Sequence, residues 1–362
     1  MPKVNNIESN MHFFAASNSV NGFYDNFNYS LDRGSLKKLF IIKGGPGTGK
    51  SSLMKKVIGN FANNKTSAIW CSSDPSSLDG VIIEGSGGNI ALVDGTAPHE
   101  MSTTYPGAQD EIINIGECFI TDSLESSIGQ IRNLSEMKGK EYKLAYSLLS
   151  SIGRMRDSYS ILLSDCEAYN VAEEYAASIY QPDASIENSP EAKYIISCFN
   201  KDGYSHLPLE ITNKQVVAIP EHHGIGYIII DILTKLLKRS KSLESVYLNP
   251  LFPSVYEGVA SANRMYFIDK SACPIHSYVS SSSELKLRNL DSIVNEIMQM
   301  SMSSFAKAME HHFNLERIYT RSVNFNKLND LTEKLIERIG PLPYTIRAAT
   351  AAPPGRLPAK AL

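Results

Sequence analysis

The sequence predicts an α/β fold, with a mostly parallel sheet and flanking helices, that is duplicated in tandem. Short apolar runs typical of buried parallel strands lead into loops and then into segments with apolar residues at helical spacing. In addition, three blocks of the first half recur in the second half, in the same order and with nearly equal spacing. Each α/β unit is expected to end in a helical segment, 123–180 in the first half and 285–339 in the second.

Length and composition indicate a soluble protein of two domains, or of three small ones. The chain has 362 residues, of which 43% are hydrophobic and 20% charged, as in ordinary globular proteins. The net charge of −3 gives no sign of nucleic-acid binding. Residues 1–10 lack the apolar core of a signal peptide, and the apolar stretch 224–237 is too short to cross a bilayer. Five cysteines without metal-ligand spacing fit reduced thiols, so we expect a cytoplasmic protein without a membrane partner.

The first half contains a complete phosphate-binding motif, G-x-x-x-x-G-K-[ST], at 44–51. The apolar run 39–43 before it predicts a buried strand, and 51–61 after it has apolar residues at helical spacing. Strand, glycine-rich loop and helix form the context in which this motif binds phosphate, so the sequence predicts a P-loop NTPase fold. The residues expected to bind the nucleotide are Gly44, Gly45, Pro46, Gly47, Thr48, Gly49, Lys50, Ser51 and Ser52.

The chemistry of this loop points to a nucleoside triphosphate, with ATP and Mg²⁺ as the expected ligands. Glycines allow successive backbone N–H groups to point at phosphate oxygens, and the positive end of the helix dipole adds to the attraction. Lys50 is expected to bridge the β- and γ-phosphates, while the hydroxyl of Ser51 is expected to ligate Mg²⁺.

An acidic residue at the end of a second strand completes the predicted magnesium site. The segment Asn89–Asp94 is an apolar strand that ends in an aspartate, as a Walker B segment does. Asp94 is therefore predicted to hold Mg²⁺, through a water, and to be catalytic together with Lys50. The alternative is that Asp94 only caps the turn that it begins.

Three further polar residues lie in loops expected at the carboxyl edge of the sheet, where α/β proteins bind ligands. Asp74 and Asp79 are candidates for contact with Mg²⁺ or with an acceptor, and each fits an ordinary loop or capping residue equally well. His99 is a candidate proton carrier near the γ-phosphate, although a single histidine in a loop is more often merely exposed.

Self-comparison reveals a repeat. Three pairs of segments align, namely 11–23 with 192–204, 41–51 with 218–228, and 90–99 with 265–276. In this alignment Gly47 and Gly49 meet Gly224 and Gly226, which are the residues that a tight turn requires. Lys50 and Ser51, however, meet Tyr227 and Ile228, which supply neither the cation nor the metal ligand. The second half is thus predicted to be a unit of the same fold without a nucleotide.

These observations divide the chain into four parts. Residues 1–180 form the predicted nucleotide-binding domain with its helical segment, and 181–191 form a linker rich in turn residues. Residues 192–343 form the degenerate domain with its C-terminal helices. The segment 344–362 is rich in Ala and Pro and is expected to be a flexible tail.

Several blocks together resemble a family of uncharacterised bacterial proteins with two P-loop ATPase units, often described as predicted nucleotide kinases. The resemblance extends to about Pro343 and implies nucleotide binding and hydrolysis without indicating a particular acceptor. Members of that family can carry a functional second P-loop. This chain departs from that pattern, because Tyr227 and Ile228 replace the lysine and the hydroxyl residue of the second loop. The blocks that carry the resemblance are 12–14, 21–24, 43–52, 71–80, 94–99 and 105–113.

Three functions are compatible with the sequence. The first is an ATPase in which hydrolysis changes the arrangement of the two halves. The second is a kinase that transfers the γ-phosphoryl group to a small, nucleotide-like acceptor, with Arg132, Arg154 and Arg156 either clamping the acceptor or remaining at the surface. The third is a nucleotide-gated module that binds a protein partner and turns over little. The enzyme class, NTP phosphohydrolase or P-loop kinase, thus stays open at this point.

Overall fold

The computed structural model describes residues 11–164, 167–183, 192–209, 214–273, 275 and 281–340. Most of the predicted linker, all of the predicted tail and His276, the repeat partner of His99, lie outside the described residues. The described chain is an α/β protein with two mixed sheets, each of which is joined to helices. None of the helices within these ranges is long and apolar enough to span a membrane.

The first unit contains a six-stranded sheet in the order β1-β5-β6-β7-β4-β8. Five of these strands run in one direction, and β6 runs in the opposite direction between β5 and β7. A small antiparallel hairpin, β2-β3, lies beside the sheet. The strands are β1 (Met11–Phe14), β2 (Ala16–Ser19), β3 (Gly22–Asp25), β4 (Leu36–Lys43), β5 (Thr66–Trp70), β6 (Leu78–Ile83), β7 (Asn89–Asp94) and β8 (Asp110–Asn114).

The predicted mostly parallel sheet is seen in part, because β6 runs against the other five strands. The connections 71–77 and 84–88, on either side of β6, contain no helix. A parallel neighbour requires a crossover of a dozen or more residues, so connections this short force β6 to run against its neighbours. The consequence for the site is direct: the beginning of β6 lies at the edge where β5 and β7 end.

The second unit repeats this arrangement without a counterpart of β8 among the described residues. Its five-stranded sheet has the order β12-β15-β14-β13-β9, in which β14 alone runs against the others, and β10-β11 form the matching hairpin. The strands are β9 (Ala192–Tyr194), β10 (Ser197–Asn200), β11 (Gly203–His206), β12 (Gln215–Pro220), β13 (Ser245–Leu248), β14 (Tyr256–Ala260) and β15 (Arg264–Asp269).

Two long helices connect the units. The helices are α1 (Phe27–Ser30), α2 (Lys50–Asn60), α3 (Thr121–Ser126), α4 (Ile128–Ser164), α5 (Ala168–Ile179), α6 (Ile225–Arg239), α7 (Ser281–Arg321) and α8 (Phe325–Ile339), with a 3₁₀ turn at Ile115–Cys118. Helices α4 and α7 pack side by side and antiparallel: the ring of Tyr146 lies 5.9 Å from that of Phe305, and Tyr159 donates a hydrogen bond to Asp291.

The helix that follows each long helix in the chain packs on the other unit. Helix α5 packs against α6 of the second unit, and Tyr266 in β15 donates a hydrogen bond of 3.4 Å to the carbonyl of Ile179. Helix α8 packs against α2 of the first unit, where Lys56 and Glu333 form a 2.5 Å ion pair. The helical segments assigned from chain order to the first and second domains therefore end on the opposite unit.

Equivalent residues of the two units contact each other. The amide of Phe14 donates a 2.7 Å hydrogen bond to the carbonyl of Ile195, and Asn18 Nδ2 donates a 2.9 Å hydrogen bond to the carbonyl of Phe199. Both partners are 181 positions apart, which is the offset of the first pair of aligned segments. Contact between equivalent positions is the signature of a two-fold relation, so the units are arranged about a pseudo-two-fold axis.

Candidate functional site

The glycine-rich loop 44–49 connects the buried strand β4 to helix α2. The strand lies between β7 and the edge strand β8, with Leu39, Ile41 and Ile42 fully buried. Gly47 and Gly49 adopt φ values of 65° and 90°, in the left-handed region that residues with a Cβ rarely occupy. The backbone thus curls before it enters α2, and the first turn of that helix begins at Lys50 with free N–H groups.

The outer side of this loop is covered by α7 and α8, the last two helices among the described residues. A Cβ atom at Gly45 would lie 2.7 Å from the ring of Tyr319, and one at Gly49 would lie 2.8 Å from Leu328. Thr320 Oγ1 donates a 2.8 Å hydrogen bond to the carbonyl of Gly47. Helices α7 and α8, which follow the second unit in the chain, therefore fix the shape of a loop in the first unit.

Lys50 lies across the loop. Its Nζ donates hydrogen bonds to the carbonyl oxygens of Gly44 (3.2 Å) and Gly45 (2.7 Å), and it lies 3.6 Å from Asp94 Oδ2. The side chain of Lys50 is only 11% exposed, so the ammonium group is held inside the site. A buried cation beside a glycine-rich loop is suited to bind an anion that enters the loop.

Ser51 occupies the first turn of α2, next to Lys50. Its Oγ accepts a 2.9 Å hydrogen bond from the amide of Leu78, the first residue of β6. This contact orients the hydroxyl at the edge of the sheet and leaves a lone pair for another partner. Ser52, the next residue, is exposed on the outer face of the helix.

Asp94 ends β7 directly beside β4, where it is paired with Ile42. Its Oδ1 accepts hydrogen bonds from both the amide (2.9 Å) and the hydroxyl of Thr96, while Oδ2 faces Lys50. Asp94 thus caps the turn that it begins and also lies next to Lys50. Burial raises the pKa of Asp94, and the nearby charge of Lys50 only partly opposes this effect.

His99 and Asp79 form a buried pair at the same edge of the sheet. His99 Nε2 lies 3.2 Å from Asp79 Oδ2, and the imidazole packs between the edges of Phe23 and Phe27. Burial lowers the pKa of His99, but the hydrogen bond to Asp79 and the charges of Asp79 and Asp94 outweigh it, so the pKa lies above its usual value. His99 is therefore not the exposed loop histidine of the ordinary case.

Asp74 has local partners. Its carboxylate accepts hydrogen bonds from the hydroxyls of Ser76 (2.7 Å) and Ser77 (2.8 Å), which close the turn before β6. These bonds give Asp74 the turn-forming role that was one of its two alternatives. Contact of Asp74 with an acceptor or with Mg²⁺ stays a prediction.

A second lysine near the loop has no signal in the sequence. Lys138 lies on α4, and burial together with the charge of Lys50 lowers its pKa. Because one lysine on an amphipathic helix is common, the sequence does not show that Lys138 lies within electrostatic range of Lys50. Glu141, one turn further along α4, has a carboxylate oxygen buried without a hydrogen-bond partner among the described residues.

The three arginines considered for an acceptor clamp differ from Lys138 in position. Arg154 and Arg156 lie about 24 Å or more beyond Lys138 along α4, at about 1.5 Å per residue. Arg156 lies over the ring of Phe252 in the second unit, 5.7 Å from its centroid. Arg132 is exposed near the start of the helix. Arg154 and Arg156 are therefore not placed to clamp an acceptor at the loop.

The equivalent loop of the second unit is two residues shorter. Residues 44–49 separate β4 from α2, whereas residues 221–224 separate β12 from α6. Gly224, with φ of 98°, precedes α6 as Gly49 precedes α2. The alignment of Gly224 with Gly47 was therefore wrong by two positions, because it matched glycines and not the helix starts. Ile225 and Gly226 take the places of Lys50 and Ser51.

A carboxylate of the protein itself accepts hydrogen bonds from the amide groups of this second loop. Glu221 accepts hydrogen bonds from the amides of Gly224 (2.7 Å) and Gly226 (2.8 Å), one on each of its oxygens. These amides begin a helix, which is where an anion binds. Tyr227 points elsewhere, with its hydroxyl accepting a 3.0 Å hydrogen bond from Asn249. The protein's own carboxylate thus fills the place that a phosphate would take.

The chain matches no known protein family, no curated protein and no solved structure.

Proposed function

We propose that this protein has the P-loop NTPase fold and that it binds ATP with Mg²⁺ at residues 44–52 and hydrolyses it. The observation that carries the proposal is the position of Lys50 and Ser51 at the start of α2, behind a glycine-rich loop, with Asp94 3.6 Å from the lysine. A cation, a hydroxyl and a carboxylate at one helix N-terminus form the set of groups that a magnesium-bound triphosphate requires.

The residues of the loop fit this ligand. The curled backbone and the free amides of α2 would hold the phosphate oxygens, and Lys50 would exchange its carbonyl partners for the β- and γ-phosphates. Ser51 and, through a water, Asp94 would hold Mg²⁺, which when bound neutralises charge that develops on the phosphates. Lys138 would add a second positive charge at the same end of the site.

The pair formed by His99 and Asp79 is suited to proton handling beside Asp94. His99 has a pKa above its usual value and one ring nitrogen, Nδ1, that is buried without a hydrogen-bond partner among the described residues. A protonated imidazole would balance the two carboxylates, and it could accept or release a proton as the charge of the site changes. In this proposal the pair positions and tunes Asp94.

Hydrolysis would be coupled to the second unit through α7 and α8. Both helices follow the second unit in the chain, and both contact the loop that binds the nucleotide. A change in the loop would therefore alter its contacts with the end of α7. Because α7 packs along α4 and begins at the second unit, the change could reach that unit. The second unit, whose own loop is filled by Glu221, would respond to the nucleotide without binding one.

A kinase reaction is the second candidate, and one feature favours it. A groove of about 410 Å³ runs along α7 next to the loop, lined by Phe313, Glu316, Arg317, Thr320 and Arg321. Glu316 and Thr320 also contact Gly47, so the groove lies beside the phosphate site. An aromatic ring and two guanidinium groups suit a small phosphorylated or nucleotide-like acceptor.

Phosphate release from ATP and Mg²⁺ tests the proposal and separates these reactions. Release without an added acceptor supports an ATPase, and transfer only with an acceptor supports a kinase. Tight binding without turnover would instead support a nucleotide-gated interaction module with a protein partner.

The decisive variant is Lys50→Ala. Charge-assisted contacts of this type contribute roughly 1.5–3 kcal/mol, so affinity or turnover should fall at least about tenfold while the fold is retained. Lys55→Ala is the matched control, because Lys55 lies on the same helix and donates its hydrogen bond to the carbonyl of Ser76, outside the glycine-rich loop. Equal binding and turnover in wild type and Lys50→Ala would refute the proposal.

A further inference from the structure

We propose that His222, His223 and Glu284 form a binding site for a transition-metal ion of the zinc class, where the short loop of the second unit meets α7. The three residues offer ligand atoms that all lie within 4.8 Å of one another. The site is independent of the proposed nucleotide site, because it lies in the other unit and contains none of its residues.

The backbone brings the two histidines together. They lie in the four-residue connection 221–224, and His223 adopts a φ of 55°, in the left-handed region. Their ring centroids are 3.8 Å apart. Glu284 projects toward them from the first turns of α7. Ligands from two separate elements therefore converge on one point.

His223 has an unusual environment for a buried imidazole. Its side chain is 1% exposed, yet neither ring nitrogen makes a hydrogen bond with good geometry to any described residue. Carboxylate oxygens are nevertheless near both nitrogens, since Asp291 Oδ2 lies 2.6 Å from Nδ1 and Glu284 Oε2 lies 3.4 Å from Nε2. Buried polar groups are almost always satisfied, so this ring requires an explanation.

A metal ion on Nε2 supplies that explanation. Ligand atoms about 2.1 Å from an ion in a tetrahedral site are about 3.4 Å from each other, and this is the separation of His223 Nε2 and Glu284 Oε2. Asp291 would then orient the ring from Nδ1, as carboxylates do behind metal-bound histidines. Tyr159 on α4 donates a hydrogen bond to the other oxygen of Asp291 and fixes it in turn.

The donor set selects the ion class. Two imidazoles and one carboxylate suit Zn²⁺ and related ions, whereas Mg²⁺ and Ca²⁺ prefer oxygen ligands. Glu284 Oε1 accepts a 2.7 Å hydrogen bond from Arg288, which leaves Oε2 directed at His223. Three protein ligands leave one tetrahedral position for a water or another ligand.

The position of the site suggests what the ion does. It would fasten the loop before α6 to the beginning of α7. Thr320, near the other end of α7, contacts the glycine-rich loop, about 54 Å away along the helix at about 1.5 Å per residue. A metal here would therefore hold the long helix that joins the two units.

Metal binding can be tested on the full-length protein after treatment with a chelator. Titration with Zn²⁺ against a chromophoric indicator should give one tight site per chain. His223→Asn and Glu284→Gln should each weaken it at least about tenfold, and Asp291→Asn, which removes only the orienting group, by about 10- to 100-fold. His312→Asn should not change it, because His312 lies further along α7 beside Glu316.

Substitution with Co²⁺ provides a second measurement that does not depend on indicator competition. The predicted site should give the visible absorption of a tetrahedral ion without a thiolate charge-transfer band, and this absorption should vanish in His223→Asn. A thiolate band, equal binding by the wild type and both ligand variants, or no tight site in the folded wild type would each overturn the proposal. Circular dichroism verifies that every variant is folded.

Discussion

Thr320 Oγ1 in α7 donates a 2.8 Å hydrogen bond to the carbonyl of Gly47, so a helix that follows the second unit contacts the loop of the first unit. Tyr319 and Leu328 cover the same loop at Gly45 and Gly49. These contacts make the loop a meeting point of the two halves of the chain. They also allow the proposed coupling to be tested apart from nucleotide binding.

Removing the Thr320 hydroxyl should loosen the loop. In Thr320→Val the side chain keeps its size but loses a hydrogen bond with a net value of about 0.5–1.5 kcal/mol. We expect faster hydrogen exchange at the amides of 45–49, measured by mass spectrometry, with at most a small fall in Tm. Thr320→Ser retains the hydroxyl and should exchange like the wild type. Unchanged exchange in Thr320→Val would show that α7 does not restrain the loop.

Asp94→Asn separates chemistry from folding. The amide keeps the size of the side chain but removes the charge that would support Mg²⁺, so turnover should fall steeply and ATP affinity should change modestly. Phosphate release and calorimetric titration measure the two effects. A variant that unfolds, or one that hydrolyses ATP normally, would leave Asp94 with the turn-capping role alone.

The same variant has an expected effect on stability. Because burial raises the pKa of Asp94 in the folded state, the folded protein binds more protons than the unfolded protein as pH rises through that pKa. The contribution of Asp94 to stability is thus present at low pH and lost as pH rises. At neutral pH and without nucleotide, Asp94→Asn should have a free energy of unfolding equal to or above that of the wild type.

His99 is positively charged when protonated, whereas protonated Asp94 is neutral. The contribution of His99 to stability should nevertheless depend on pH in the same direction as that of Asp94. Its pKa in the folded state lies above the usual value of 6.5, because the hydrogen bond and charge of Asp79 outweigh burial. The stabilisation is fully present below the unfolded pKa and is lost as pH rises through the folded pKa. The difference in Tm between wild type and His99→Asn should therefore shrink as pH rises above 6.5. A constant difference would mean that the imidazole does not titrate in this way.

Lys138 is expected to contribute to turnover. Burial and then the charge of Lys50 lower the pKa of Lys138, so the two ammonium groups lie within electrostatic range of each other. In Lys138→Gln, phosphate release should fall about tenfold or more, a loss typical of one charge-assisted contact with a phosphate. Lys140→Gln, two positions along the same helix, should behave like the wild type. Equal rates for both variants would remove Lys138 from the site.

Local patterns predicted the parts of the structure that depend on neighbouring residues. The strand 39–43, the loop and the helix after it follow one another in the chain, and the structure has β4, the loop and α2 in these places. The repeat was equally visible, because the segments 11–23 and 192–204 form the same strand and hairpin in both units. The two sheets share their strand order as well.

Features that depend on tertiary contacts could not be predicted in this way. Alternation of apolar residues does not reveal strand direction, so β6 was not recognised as antiparallel. The exchange of α5 and α8 between units, and the approach of Lys138 to Lys50, arise from the length and direction of α4 and α7. The register of the second loop was misjudged because two glycines matched by identity. The sequence does show an acidic residue, Glu221, near the start of that loop, but its hydrogen bonds to the amides of Gly224 and Gly226 depend on how the loop folds.

The number of nucleotides bound per chain tests the central claim most directly. The first loop offers Lys50 and Ser51, whereas in the second loop Glu221 already occupies the amides of Gly224 and Gly226 and would repel a phosphate. Calorimetric titration with Mg²⁺ and a slowly hydrolysed ATP analogue should saturate near one per chain, and Lys50→Ala should weaken this binding at least about tenfold. Tyr227→Ala should leave the stoichiometry at one. Two sites per chain, or one site whose affinity is unchanged in Lys50→Ala, would contradict the account.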